Sequence, residues 1–174
     1  MLIVIELKSF NNKHVYFGDK QINNMSEYCS FTSLYYSTEL FTTNNILFEF
    51  PLLLSKIDIN CNILNCYFDL SVESNKRLIQ YITSVEHKLL TKYNLFNNKT
   101  PKCVLSNQMK KGFIKVILPY QKMDNYIYLR NIQILIRMSG IWENENNETG
   151  IIFKFLLKEV EDETNTTVYN SIPY

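Results

Sequence analysis

The sequence predicts a mainly β domain that carries one long helix, and three observations lead there. Short alternating apolar segments recur along most of the chain, a single stretch at 73–94 has the three- and four-residue apolar spacing of an amphipathic helix, and three more strand-like segments follow it in close order. At 174 residues and 20.7 kDa the chain can bury one ordinary core. A single domain over residues 1–160 is therefore expected, with a mobile C-terminal tail at 161–174.

Taken in order, residues 2–10 and 14–18 read as two strands around a polar turn at Asn11, Asn12 and Lys13. Segment 28–41 mixes Ser and Thr with aromatic residues, which suits a strand with one exposed face, or a loop. "NILFEFPLLL" (45–54) is a firmer strand, and Pro51 marks an edge or an end because it has no N–H to give a ladder. "ILNCYFDLS" (63–71) is another strand. In the helix, Leu78, Ile82, Val85 and Leu89 form the apolar stripe, widened by Ile79 and Leu90. Ser71 or Ser74 can cap its start, Glu73 suits the positive N-terminal end, and Lys88 and Lys92 suit the other. After a turn-rich break at 97–101, segments 112–120, 126–142 and 150–160 read as strands. The last two form a hairpin whose solvated acidic bend runs from Glu143 to Gly150. Several strands, one helix and a terminal hairpin make the order of an OB-fold-like small barrel, with a β-sandwich as the alternative.

Composition narrows the function classes. Alanine does not occur and arginine appears only at positions 77, 130 and 137, while Asn, Ile, Lys, Tyr and Phe abound, a pattern that points to an AT-rich genome. No P-loop, GxGxxG, GxSxG or HExxH motif is present, and the two histidines lie far from the cysteines, so neither an enzyme nor a metal or other cofactor is expected. The N-terminal apolar run is broken by Glu6 and Lys8, too short for a leader or a membrane span, and reduced cysteines in an intracellular protein follow.

The formal net charge of +1 conceals a strong asymmetry. Residues 1–86 carry nine acidic and six basic side chains (−3), 87–142 one acidic and ten basic (+9), and 143–174 seven acidic and two basic (−5). In the basic block, cations alternate with rings: Lys110, Lys111, Phe113, Lys115, Tyr120, Lys122, Tyr126, Tyr128, Arg130 and Arg137, with Trp142 at its edge. That mixture supplies what sequence-independent binding of single-stranded DNA needs, cations for phosphates and flat faces for unstacked bases. Each ring taken alone is more often a cross-strand packing residue, and the collective charge bias carries the functional reading. Trp142, at the base of the acidic bend, reads as packing rather than stacking.

The segments "NILFEFPLLL", "CYFDLS", "LIQYITSVEHKLLTKYN", "GFIKVILPY" and "ILIRMSGIWENENNETGIIFKFLLKEV" together resemble the single-stranded DNA-binding proteins of large nucleocytoplasmic DNA viruses and related elements, which are similar in turn to phage OB-fold single-stranded DNA-binding proteins. The resemblance covers roughly residues 45–160. It implies a non-enzymatic viral protein that coats exposed strands during DNA replication or repair, at the site of viral replication, with viral replication proteins as further partners and no membrane. The phage proteins end in a strongly acidic tail; here Glu159, Glu161, Asp162 and Glu163 give way to a neutral stretch ending at Tyr174. The competing reading is a viral structural or protein-interaction module on a β-sandwich.

Overall fold

The computed structural model describes residues 3–22, 30–118 and 132–159. They form strands β1 (Val15–Ile22), β2 (Ser30–Ser37), β3 (Thr42–Asn44), β4 (Ile46–Glu49), β5 (Leu54–Asn60) and β6 (Ile63–Phe68), then helix α1 (Glu73–Asn97). The two-residue β7 (Thr100–Pro101), helix α2 (Val104–Met109), β8 (Phe113–Ile117), β9 (Ile132–Glu143) and β10 (Glu148–Glu159) complete the order. The architecture is thus mainly β with one long helix, its strands curling into a small barrel-like or sandwich-like body. The expected tail lies outside the described residues.

Several boundaries depart from the sequence reading, each for a local reason. Residues 3–10 do not form a strand: Leu7–Ser9 and Asn12–His14 are single 3₁₀ turns, and Ile5 alone bridges to Phe48. The Asn11 side chain accepts from the Lys13 N–H at 3.0 Å, a local bond that favours a turn over a ladder. The expected strand 45–54 divides around Pro51 into β4 and β5. Neither serine caps α1. Its N-cap is Val72, and Ser71 turns instead to Asp69, its N–H donating to Oδ1 at 2.7 Å. The helix also runs on to a left-handed Asn98 (φ 48), which leaves Lys92 short of the last turn. The Lys92 ammonium reaches across to donate to the carbonyls of Val15 (2.6 Å) and Asn12 (3.0 Å).

Most strands belong to one sheet in the order β1-β2-β9-β10-β7, with β3 added to β2 and β4 added to β9. β9 changes partner along its length. Gly140–Glu143 pair with Ser30–Ser33 of β2, whereas Leu135–Met138 pair with β4. Between them Ser139 has no counterpart in β10, whose register steps from Ile152 to Phe153, and this bulge reverses which side chains face the core. Beyond Ser33, β2 leaves β9 and pairs with β3, and Asn45 (φ 80) turns the chain from β3 into β4 while its N–H donates to the Leu34 carbonyl. The sheet curls at that corner. A second, three-stranded antiparallel sheet has the order β5-β6-β8. The core fills the space between the sheets and α1, whose Ile79, Ile82, Val85, Leu89 and Leu90 are buried as their spacing predicts. Burial pushes the Cys66 thiol there up to about 12, so it stays protonated and unreactive.

α2, which no sequence signal marked, depends on α1. Its own N-cap residue, Cys103, offers no side-chain bond; instead the fully buried Glu86 of α1 accepts from the N–H groups of Leu105 (2.9 Å) and Ser106 (2.8 Å) and from the Ser106 hydroxyl. A carboxylate with three donors at the positive end of a helix is well compensated for its burial.

Three rings lie across three strand glycines. A Cβ on Gly150 would stand 2.5 Å from the Trp142 ring, and one on Gly18 would stand 2.8 Å from Tyr35. One on Gly140 would meet the Phe31 ring and, at 2.6 Å, the backbone oxygen of Thr32. Trp142 is only 7% exposed. Its indole packs on the sheet rather than standing free for a ligand. Gly140→Ala and Gly150→Ala should each destabilise the protein by about 1–3 kcal/mol, as overpacking does, with Gly140 the more sensitive because backbone cannot swing aside. Urea unfolding would measure this; losses within experimental scatter would mean that the rings move freely.

Candidate nucleic-acid interface

The three-stranded sheet presents one face to the core and the other outward. Because paired residues share a face, the register β5-β6-β8 sets out the outer side chains in three rows: Lys56-Tyr67-Phe113, Asp58-Asn65-Lys115 and Asn60-Ile63-Ile117. The alternating inner residues Leu64, Cys66, Ile114 and Val116 are buried and anchor this face from behind.

In the first row the Tyr67 and Phe113 rings lie 5.9 Å apart and tilted by 35°, with the Lys56 ammonium 5.6 Å from the Tyr67 centroid. Lys56 also pairs with Asp58 at 2.7 Å, and that carboxylate, by hydrogen bond and by charge, holds the ammonium above its usual range. Beside β8 an open groove of about 360 Å³ runs along α2, lined by Val104, Asn107, Gln108, Lys111, Phe113 and Lys115. Lys110, Lys111 and Lys115 are exposed and enter no ion pair among the described residues. A pair of neighbouring rings with uncommitted cations along the Phe113 side is suited to a stacking platform.

Of the residues singled out from the sequence, Lys111, Phe113 and Lys115 come together in this groove, and Lys110 sits next to it at the C-cap of α2. Arg137 does not join them. It lies half-buried on β9 of the larger sheet, between Leu47 of β4 and Lys154 of β10. Tyr120, Lys122, Tyr126, Tyr128 and Arg130 lie outside the described residues. Two members of the face were missed, Lys56 and Tyr67. The signal for Tyr67 was its alternation with the apolar Cys66 and Phe68, whereas Lys56 could be placed only once β5 was recognised. A larger cleft of about 470 Å³ lies between the N-terminal turns and α1 and holds Lys13 and Lys88. Its rings are already engaged, Phe10 against Tyr36 and Phe48, and the Tyr81 hydroxyl on the Leu7 carbonyl. No group of three His, Cys, Asp or Glu among the described residues is placed to hold a metal, and no described helix is long and apolar enough to cross a membrane.

The acidic bend also needs correction. β9 continues through Glu143, so the turn is confined to residues 144–147. Glu143 is 3% exposed and not solvated: it takes Lys20 at 2.7 Å, accepts from the Tyr93 hydroxyl at 2.5 Å and has Lys99 at 3.6 Å. Glu148 is matched by Lys102 at 2.8 Å, which leaves Glu145 as the exposed acid of the turn. Compared with protein-family models, with curated proteins and with solved structures, the chain gives no significant match to any of the three.

Burial alone would raise the Glu143 carboxyl, but the hydrogen bonds from Lys20 and Tyr93 and the charges of Lys20 and Lys99 outweigh it and hold the group below the usual carboxylate range. Burial, and then the bond to Glu143, pushes the Tyr93 hydroxyl up to about 12. A carboxyl with a depressed folded pKa contributes stability above its unfolded value of about 4.3, and that contribution is lost as pH falls through the folded value. Glu143→Gln should therefore be less stable than the parent protein at neutral pH, with the gap closing as the solution is acidified below about pH 4. Parallel unfolding titrations of the two proteins at several pH values test this; a gap that does not change with pH would show that Glu143 contributes through packing alone.

Proposed function

We propose that the chain binds single-stranded DNA and is not an enzyme, and that it protects exposed strands in viral DNA replication or repair. The observation that carries this reading is the Tyr67-Phe113 ring pair on an open sheet face, with Lys56, Lys111 and Lys115 around it. Bases would lie on the rings, and the strand's phosphates would run past the lysines along α2 and β8. Such a face attracts any strand, because every base has a stackable surface and every nucleotide a phosphate.

Fluorescence titration of a mixed-sequence oligonucleotide at low and moderate salt is the decisive experiment. Three phosphate contacts to a single strand give a slope of about −2 in log affinity against log salt, and Lys111→Gln or Lys115→Gln should each reduce its size by about 0.7. Tyr67→Ala and Phe113→Ala should each cost about 1–3 kcal/mol of binding. Undetectable binding at low salt would refute the proposal. The exposed Ile117 (50%) and Val104 (41%) beside the groove favour the second reading, a protein-docking face. That reading calls for a protein complex whose affinity is indifferent to added oligonucleotide.

A further inference from the structure

We propose that this face is not indifferent to sequence but prefers guanine, read by Asp58 and Asn65; the inference rests on the strand-binding reading above. Among the nine outward side chains of the three rows there is one acid, Asp58. It lies next to the ring row, two residues along the strand, about 7 Å away, from the position of Lys56. A face built to attract phosphates binds them less well with a carboxylate there, because it repels the backbone it would meet. A base stacked on Tyr67 and Phe113, however, can extend its pairing edge toward this second row, and there a carboxylate is an acceptor for base N–H groups.

The four bases differ in what they offer an acid. Guanine alone presents two adjacent donors, N1–H and the N2 amino group, which match the two oxygens of a carboxylate. Adenine and cytosine offer one amino group each beside an unprotonated ring nitrogen that repels the acid. Thymine offers one N–H between two carbonyls. Guanine's remaining group on that edge is the O6 acceptor. Asn65 is the cross-strand partner of Asp58, on a strand about 4.8 Å away, and its amide can donate to O6; Lys115 follows as the next residue in the row. The acid and the amide beside it across the sheet are therefore complementary to the two donors and the one acceptor along guanine, the carboxylate taking N1–H and N2 and the amide taking O6.

Asp58 is ready for this role at little cost. Its side chain is 40% exposed and that of Lys56 is 65% exposed, so their 2.7 Å ion pair can open without burying either charge. When a guanine takes the carboxylate, Lys56 becomes free for an adjacent phosphate.

The test is fluorescence anisotropy with thymidine oligonucleotides of about twelve residues, either uniform or carrying one central dG, dA or dC. The dG oligonucleotide should bind about tenfold tighter than the other three. Asp58→Asn should abolish that advantage while tightening binding to the uniform strand, because a negative charge has left the face. Guanosine monophosphate should compete weakly, since it brings one phosphate where a strand brings several. Equal affinity for all four oligonucleotides, or a dG advantage that survives Asp58→Asn, overturns the inference and leaves strand binding standing. Competition by the mononucleotide as strong as by the strand overturns it in favour of a free guanine nucleotide as ligand. Binding to none of the oligonucleotides removes the strand-binding reading and this inference with it.

Discussion

One strand, β9, is hydrogen-bonded to three others, and the point at which it exchanges β2 for β4 governs the rest of the fold. An exchange of that kind requires the neighbouring strands to diverge without leaving backbone groups unpaired. The Ser139 bulge and the Asn45 corner solve this together, one by reversing side-chain facing along β9 and the other by turning the departing chain back toward it. The glycines and rings beside the exchange follow from the same constraint. Gly140 admits the Phe31 ring where strands crowd, and Trp142 lies over Gly150 on the adjoining pair. At the C-terminal end of β9 the buried Glu143 ties the strand to β1 through Lys20, to α1 through Tyr93 and to the loop after α1 through Lys99.

The candidate interface is built by a similar relay. α1 packs its apolar stripe into the core, its Glu86 caps α2, and α2 thereby lies along β8 and completes the groove that holds Lys111, Phe113 and Lys115. A fully buried carboxylate thus positions an exposed cluster of cations. The inner and outer faces of the three-stranded sheet divide the work, Leu64, Cys66, Ile114 and Val116 supplying rigidity and Tyr67, Phe113 and the lysines remaining available.

How much of this could be read from the chain depended on whether the signal was periodic or relational. The fold class and the helix were legible because alternation and three-to-four spacing survive in any context; Ile82, Val85 and Leu89 are buried as that spacing demands. The ends of elements were not. α1 outlasts Lys92 because Asn98 supplies a left-handed stop, and β5 was hidden because Lys56 and Asp58 interrupt its apolar pattern on the outward side. α2 escaped notice because its cap comes from Glu86, nineteen residues before Leu105. For the site, Lys111, Phe113 and Lys115 were legible from charge and ring content, since they are close in sequence and alternate along or just before one strand. Lys56 and Tyr67 belong to strands earlier in the chain, and only pairing across the sheet makes them neighbours of Phe113. Glu143 misled because an acid in an acidic run looks solvated, and its three partners are distant in sequence.

The position of β5 has one more consequence. Among the described residues it is paired on one side only, to β6, and an open strand edge is where a second copy of a chain can add itself and start an aggregate. Its register slips between Leu54 and Lys56, and Lys56 and Asp58 set a solvated pair of opposite charges beside the open backbone. An incoming strand would have to follow the irregular register and pass two solvated ions. The ion pair that lies next to the aromatic platform thus also works against the addition of another strand at this edge.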